Sequence, residues 1–183
     1  MNIVLIGLRA TGKSTCGKLL ARRLSWDFVD TDELVCERAA KTVREIFAEG
    51  GESLFRDLES EVVKQVARKA DTVIATGGGA ILDPENVEDL RRQGFVVHLQ
   101  ASPRELARRI EADTNSHALR PALLSAQISQ LEELQKLMLS RASKYNEARD
   151  VEVQVEGRTP DQVAEAILLL MRARGVLGRD SHA

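Results

Sequence analysis

A run with two glycines, a lysine and three hydroxyl residues follows the first apolar segment, and it fits G-x-x-x-x-G-K-S/T. Such glycines let the backbone curl around phosphate oxygens, and the helix that follows adds its positive end. Lys13 would reach the β- and γ-phosphates and Ser14 would ligate Mg²⁺. An ordinary glycine turn is the alternative, but the position between an apolar segment and an amphipathic run favours a nucleoside triphosphate site. The predicted nucleotide-binding residues are Gly7, Leu8, Arg9, Ala10, Thr11, Gly12, Lys13, Ser14 and Thr15.

A cluster of carboxylates follows the second apolar segment, in the run V-D-T-D-E over 29–33. Three acidic side chains in four residues are costly to bury together unless a cation answers them, and Mg²⁺ and a polar substrate are natural answers. Asp30 and Asp32 lie two residues apart, so in an extended segment both would point to one side. The alternative is a helix N-terminus with Thr31 or Asp32 as the N-cap.

Three consecutive glycines, Gly77, Gly78 and Gly79, follow the third apolar segment. Glycine is needed where the backbone approaches another group closely or takes a positive φ, and three of them cost folding entropy. A bound ligand would justify that cost, although a plain loop explains the glycines equally well when they are considered alone.

Alternation of strand-like and helix-like patterns predicts the element order that positions these residues. Continuous β-branched runs are typical of strands covered on both faces in a parallel sheet, and helical stripes fill the gaps between them. This alternation indicates a doubly wound α/β fold, in which ligands bind at the carboxyl ends of the strands. The strand candidates are Asn2–Ile6, Asp27–Val29, Thr72–Thr76, Phe95–Leu99 and Val151–Val155, the last as a sheet edge.

Length and composition narrow the class of protein. A chain of 183 residues with 43% apolar content and no linker-like stretch predicts a single domain over 1–183. A net charge of −2 gives no electrostatic reason to expect nucleic acid or an anionic membrane as partner. The absence of a leader-like start and of 18 uninterrupted apolar residues leads us to expect a cytoplasmic protein. Cys16 and Cys36 have no metal-ligand spacing and are expected to be packing residues.

Five segments together resemble the shikimate kinase family over nearly the whole chain, from about residue 2 to 172. They are the phosphate-binding run, F-V-D-T-D over 28–32, I-F-A-E-G-G-E-S-L-F-R-D-L-E over 46–59, A-T-G-G-G-A over 75–80 and L-R-P-A-L over 119–123. The resemblance implies ATP- and Mg²⁺-dependent phosphorylation of the 3-hydroxyl of shikimate by a monomer. It also implies a P-loop kinase fold, with a five-stranded parallel sheet flanked by helices on both faces and a mobile lid.

The resemblance assigns roles to the acidic, glycine and arginine residues. Arg56 and Arg141 match the two residues that hold the substrate carboxylate in the family. Arg56 lies within a substrate-binding segment of about 31–60, and Arg141 lies beyond it. Asp32 matches the residue that binds the substrate hydroxyls and accepts the proton of the attacking one, and Asp30 the outer-shell residue of Mg²⁺. Gly77, Gly78 and Gly79 would lay their backbone along the substrate ring. From the residues alone, Arg56 could instead pair with Glu52 or Glu59, and Arg141 could be an exposed helix residue.

The segment of about 111–125 resembles the lid of the family, and Arg120 is the residue expected to stabilise charge on the transferred phosphoryl group. This chain departs from the usual N-T-x-R-P-L-L with S-H-A-L-R-P-A, and His117 is expected to be a solvated loop residue. The phosphate-binding run departs as well. Arg9 and Thr11 stand where small residues are frequent, so we expect a stiffer turn, with Arg9 reaching outward toward solvent or phosphate.

Adenine recognition is assigned by resemblance to Arg109, Arg158 and Pro160. An arginine plane can stack on a purine, although Thr159-Pro160 is also a good helix start. Rival functions are another small-molecule P-loop kinase, such as a gluconate kinase or a nucleoside monophosphate kinase, and a non-catalytic nucleotide-binding module. Shikimate and ATP remain the expected ligands, because a module that only binds nucleotide has no need for acceptor-site groups.

Overall fold

A five-stranded parallel sheet forms the centre of the computed structural model, which describes residues 1–113 and 128–177. The strands are β1 (Asn2–Ile6), β2 (Asp27–Asp30), β3 (Thr72–Ala75), β4 (Gly94–Gln100) and β5 (Val151–Gln154). Their order is β2-β3-β1-β4-β5, so the strand that leads into the phosphate-binding run lies in the middle. All five predicted strands are confirmed, with ends that shift by one residue, and β5 is an edge strand as expected.

Seven helices of the described residues connect and cover the strands. They are α1 (Lys13–Leu24), α2 (Thr31–Ala39), α3 (Val43–Val66), α4 (Pro84–Gln93), α5 (Pro103–Ala112), α6 (Gln130–Ala148) and α7 (Pro160–Ala173). Helices α1 and α7 pack together, whereas α3 packs against α2 and α4, and α5 packs against α6. The connection from β1 to β2 and the connection from β2 to β3 run in opposite directions along the sheet. Right-handed crossovers therefore place α1 and α3 on opposite faces, which confirms the predicted α/β class.

The core is apolar and follows from the predicted strand patterns. Strands β1 and β3 are buried along their whole length because helices cover both of their faces. Within the described part of the chain, no helix combines the length and apolarity needed to cross a lipid bilayer. No disulfide joins Cys16, which is buried, to Cys36, which is half-buried, in agreement with a packing role.

Helix α3 contains a break that matters for the site. Its start is fixed by a capping box between Thr42 and Glu45, and its regular geometry is interrupted at Gly51, which has φ +67°. The residues before and after Gly51 therefore form two helical segments with different directions. The second segment carries Phe55, Arg56 and Glu59 toward the carboxyl ends of the strands.

Candidate active site

The phosphate-binding run forms a tight loop between β1 and α1. Gly7 and Gly12 take positive φ values of +146° and +89°, and a Cβ at Gly7 would overlap the Leu99 carbonyl. The Lys13 ammonium donates hydrogen bonds to the carbonyls of Gly7 and Leu8, each at 2.9 Å. These bonds hold the ammonium over the loop, next to the start of α1, where the helix end attracts anions.

Thr11 is buried and its hydroxyl donates to the Leu8 carbonyl at 2.8 Å, so it closes the loop from within. Arg9 does not reach outward to solvent, and that part of the expectation was wrong. Its Nη2 donates to Glu133 Oε2 at 2.8 Å, across to the first turn of α6. The side chain of Arg9 is only 17% exposed in this position.

Asp30 joins the loop to α2 through both of its carboxylate oxygens. Its Oδ2 accepts a 2.6 Å hydrogen bond from the Ser14 hydroxyl. Its Oδ1 accepts from the backbone N–H groups of Asp32 and Glu33, at 3.0 and 3.5 Å. Asp30 is therefore the N-cap of α2. The alternative of a helix N-terminus at these residues is confirmed, but the N-cap is Asp30 and not Thr31 or Asp32.

Asp32 lies in the first turn of α2, so the expectation that Asp30 and Asp32 share one side of an extended segment was also wrong. The Asp32 carboxylate lies against the glycine run, where a Cβ at Gly77 would overlap it. Asp32 lines two adjoining spaces, a hollow bordered by Ser14 and Asp30 and a cavity of about 60 Å³ bordered by Arg56 and Arg141. Its carboxylate thus lies between the phosphate-binding side and the arginine side of the site.

The glycine run after β3 meets side chains from three helices. Gly77 N–H donates to the buried Thr31 hydroxyl at 2.9 Å. A Cβ at Gly77 would overlap the carboxylates of Asp32 and Glu59, and one at Gly79 would overlap the guanidinium of Arg56. None of these glycines has a positive φ, so close approach is the reason for them. The sequence had left this open between close approach, positive φ and a plain loop.

Arg56 pairs with both acidic neighbours on its own helix. It donates from Nη1 to Glu59 at 2.6 Å and from Nη2 to Glu52 at 2.9 Å. With these pairs formed, one quarter of the Arg56 side chain stays exposed, and Arg56 lines the cavity. The alternative that Arg56 pairs with its acidic neighbours is therefore confirmed, and it is compatible with a place in the site.

Arg141 is buried on α6, not exposed, and it donates to the Gly78 carbonyl at 2.9 Å. The Tyr145 hydroxyl donates to the same carbonyl at 2.7 Å, and its ring stacks on His98 with centroids 4.5 Å apart. Burial raises the pKa of Tyr145 to about 12, so the hydroxyl keeps its proton. Two donors from α6 therefore fix the orientation of the Gly78 peptide.

Glu59 is a buried acid whose burial was not predicted from the sequence, where it was considered only as a possible partner of Arg56. It is 1% exposed, and in the described residues its Oε1 has no hydrogen-bond partner. Burial raises the pKa of Glu59 to about 7, against the lowering effect of Arg56, and the negative Asp32 adds to the increase. Its place in the stripe with Phe55, Val62 and Val66 was the available signal that it is buried.

The residues expected to bind adenine gather at the carboxyl end of β5. Arg109 donates in the plane of its guanidinium to Glu105, to the Ala10 carbonyl and to the Val155 carbonyl. The Val155 carbonyl also accepts from the backbone N–H of Arg158. In-plane bonds leave the faces of a guanidinium available for stacking. Pro160 is the first residue of α7 after the N-cap Thr159, so the helix-start interpretation is confirmed.

Two expected features fall wholly or partly outside the described residues. Arg120 and His117, with most of the predicted lid, lie in the stretch 114–127. Glu111 and Ala112, at the start of the predicted lid, are the last residues of α5.

The described residues of this site offer a metal ion only some of the ligands that it needs. Across 1–113 and 128–177, no three His, Cys, Asp or Glu side chains converge as a metal-binding group. Ser14 and Asp30 offer oxygen atoms, which Mg²⁺ prefers, and protein sites for Mg²⁺ usually leave other positions to water and substrate phosphates.

Comparisons with known proteins agree on one family. The family model for shikimate kinase matches residues 9–172. A shikimate kinase of Symbiobacterium thermophilum is 44% identical over 97% of this chain and 100% of that protein. One of Thermodesulfovibrio yellowstonii is 41% identical over 91% of this chain and 92% of that protein. The structure of shikimate kinase from Acinetobacter baumannii in complex with shikimate superposes with a TM-score of 0.88 at 29% identity, covering 96% of this chain and 95% of the other.

Proposed function

The chain belongs to the shikimate kinase family, and we propose that the residues gathered at the carboxyl ends of β1, β2 and β3 carry out its reaction. Shikimate kinase transfers the γ-phosphoryl group of ATP to the 3-hydroxyl of shikimate. The observation that carries the assignment of roles is the position of Asp32, which borders both the phosphate-binding side and the arginine-lined cavity.

Arg56 and Arg141 bind the carboxylate of shikimate in this proposal. Both line the cavity, and a guanidinium offers the planar pair of donors that a carboxylate accepts. The cavity is small at about 60 Å³, so the two side chains adjust when the substrate enters. Gly77, Gly78 and Gly79 line the same space with their backbone, and side chains at Gly77 and Gly79 would overlap Asp32, Glu59 and Arg56.

ATP binds along the loop from Gly7 to Thr15, with its phosphates at Lys13 and its base between Arg109 and the Arg158–Pro160 turn. The arrangement of Arg109 supports this, since three in-plane hydrogen bonds hold its guanidinium beside both the loop and β5. Arg120 keeps its role from the family resemblance, as the residue that neutralises charge on the transferred group.

Ser14 and Asp30 would hold Mg²⁺, Ser14 directly and Asp30 through water. Their 2.6 Å hydrogen bond places the two oxygen groups side by side at the start of α1. When bound, Mg²⁺ supplies positive charge to the β- and γ-phosphates of ATP.

Chemistry in the site is an in-line displacement in which the protein does little covalent work. The 3-hydroxyl oxygen of shikimate forms a bond to the γ-phosphorus, the bond from that phosphorus to the bridging oxygen breaks, and ADP leaves. Asp32 orients the hydroxyl and accepts its proton. Lys13 stabilises the negative charge on the phosphoryl oxygens.

Assembly and location complete the proposal. We expect a monomer in the cytoplasm, formed by a single domain over 1–183 with a lid at about 111–125. Light scattering behind a size-exclusion column should give about 20 kDa, the mass of one chain. A mass of twice that value, independent of concentration, would contradict the monomer.

The reaction is tested by following ADP release from MgATP, coupled to NADH oxidation, with shikimate as acceptor. Gluconate and AMP serve as acceptor controls, and reactions without Mg²⁺ test the metal. We expect turnover with shikimate alone among these acceptors, and none without Mg²⁺. Turnover only with gluconate or AMP would overturn the acceptor assignment, and nucleotide binding without turnover would favour a regulatory module.

Lys13→Met tests the proposed role of Lys13, because it removes the ammonium group and keeps a side chain of similar length. We expect kcat to fall about 100-fold or more, as for loss of one electrostatic stabiliser of a transition state. The melting temperature should stay close to that of the parent chain. Near-normal kcat would contradict the role of Lys13.

A further inference from the structure

An ion pair links the phosphate-binding loop to the first turn of α6. Arg9 Nη2 and Glu133 Oε2 are 2.8 Å apart, with side chains 17% and 6% exposed. The Nε of Arg9 is buried, and among the described residues it has no hydrogen-bond partner. The pair is therefore shielded from water. Opposite charges attract each other more strongly in such a buried position than at the protein surface.

Arg9 belongs to the wall of the acceptor cavity. It lines this cavity together with Arg56, Arg141 and Asp32. Its backbone also passes close to the glycine run, since its N atom would lie 3.7 Å from a Cβ at Gly78. Arg9 is thus a third arginine among the residues that line this cavity, with its guanidinium held at Glu133.

Helix α6 positions Glu133 and the acceptor residues on one row. Glu133, Leu137, Arg141 and Tyr145 follow each other at intervals of four residues, so their side chains lie along one face. Leu137 and Arg141 line the cavity, and Tyr145 holds the Gly78 carbonyl. Glu133 heads this row and reaches the loop that binds phosphate.

We propose that Glu133 is a specificity-determining residue of the acceptor pocket, because it neutralises Arg9. With Arg9 held by Glu133, the cavity presents Arg141 and Arg56, and Arg56 keeps one quarter of its side chain exposed beside its partners Glu52 and Glu59. Two guanidinium groups suit an acceptor with a single carboxylate. The pairing also keeps Arg9 from holding the phosphate of the product, so a more anionic ligand gains no extra cation. This inference rests on the proposed function.

The product differs from the acceptor in charge. Phosphorylation adds about −1.5 to −2 charges at pH 7, and the added group is formed next to the loop that carries Arg9. An arginine released from Glu133 could donate two parallel hydrogen bonds to that phosphate. Glu133 therefore favours product release while leaving acceptor binding to Arg56 and Arg141.

The test uses the full-length enzyme, with Glu133→Gln, Arg9→Met and the double variant compared with the parent chain. Steady-state kinetics gives the KM for shikimate and the inhibition constant Ki for shikimate 3-phosphate in each. Glu61→Gln is the matched control, because it breaks the exposed Arg38–Glu61 pair on the surface.

We expect Glu133→Gln to lower Ki for shikimate 3-phosphate about tenfold, while KM for shikimate changes less than threefold. Added salt should reduce this gain, because the new attraction is electrostatic. The double variant should return Ki to within about threefold of the parent value, since it no longer carries the released cation. The control should leave both constants unchanged.

Three results would overturn the inference. They are an unchanged Ki in Glu133→Gln, an equal fall of Ki in the single and double variants, and parallel changes of Ki and KM. If Glu133→Gln does not fold, the double variant is compared with Arg9→Met. A lower Ki in the double variant would overturn the inference, because neither protein carries the Arg9 guanidinium. Failure of the parent chain to phosphorylate shikimate would instead refute the proposed function before any variant is compared.

Discussion

At the scale of single residues, two neighbouring acids have different tasks because one ends a strand and the other begins a helix. Asp30 caps α2 with one oxygen and accepts from Ser14 with the other. Asp32, two residues on, turns toward the glycine run and the arginine-lined cavity. The start of α2 therefore directs two like side chains to different places, Asp30 to Ser14 and Asp32 to the cavity lined by Arg56 and Arg141.

Asp30→Asn and Asp32→Asn form a matched pair of variants that should separate these tasks. In Asp30→Asn the remaining oxygen can still cap α2, but the other position becomes an amide, so we expect a higher Mg²⁺ requirement. In Asp32→Asn we expect kcat to fall about 100-fold while ATP affinity stays nearly unchanged, because the proton acceptor is lost.

Titration of activity with Mg²⁺ and calorimetry with ATP distinguish the two variants. Loss of ATP binding in Asp32→Asn would show that Asp32 contributes to the ATP site, which contradicts its assignment to the shikimate hydroxyl. An unchanged Mg²⁺ requirement in Asp30→Asn would remove Asp30 from the metal site.

At the scale of elements, the turn after β3 is shaped by what the helices place against it. Thr31 of α2 accepts from Gly77, Arg56 of α3 lies against Gly79, and Arg141 and Tyr145 of α6 donate to Gly78. Each of the three helices contributes at least one contact, so the conformation of the turn depends on the positions of all three. The break at Gly51 makes this possible for α3, because it redirects the second half of the helix.

Gly79→Ala should disturb substrate binding more than folding. The added Cβ would overlap the guanidinium of Arg56, which is the far end of a flexible side chain and can swing away. We expect the KM for shikimate to rise about tenfold, with ATP affinity kept and unfolding free energy within about 1 kcal/mol of the parent.

Gly7→Ala is the contrasting glycine variant, because its φ is +146° and its Cβ would overlap a backbone carbonyl. It should lose about 1–3 kcal/mol of stability. Denaturant unfolding and steady-state kinetics of both variants provide the comparison. A Gly79→Ala protein with normal KM would show that Arg56 does not depend on this contact.

At the scale of the whole molecule, buried ionisable groups make stability depend on pH. Glu59 is the main case, because burial raises its pKa to about 7 from a usual value of 4.5. The folded state then binds this proton more tightly than the unfolded state does. Its contribution to stability is complete below about pH 4.5 and is lost as the pH rises through 7.

Glu59→Gln should remove this loss, since glutamine does not titrate. Between pH 5 and 8 we expect the variant to gain stability relative to the parent, by at most about 3 kcal/mol. Glu61→Gln, on the exposed side of α3, controls for the loss of one carboxylate.

Denaturant unfolding at several pH values measures the difference. Burial lowers the pKa of His98 to about 4, but His98 is present in all three proteins, so its effect cancels. Parallel curves for parent and Glu59→Gln would mean that Glu59 stays ionised across this range.

Sequence alone determined the parts of this protein that depend on local pattern. The phosphate-binding run, the five strands and the α/β class could be predicted directly, because β-branched runs and glycine spacing depend on short-range constraints. The family followed from the resemblance of five motifs to known members. Only the tertiary structure decided the partners of Arg9, the burial of Glu59 and Arg141, and the two donors on Gly78. These contacts join residues as much as 124 positions apart, such as Arg9 and Glu133. The packing of helices on the sheet creates them, and no local pattern encodes which charged side chains that packing will bring together.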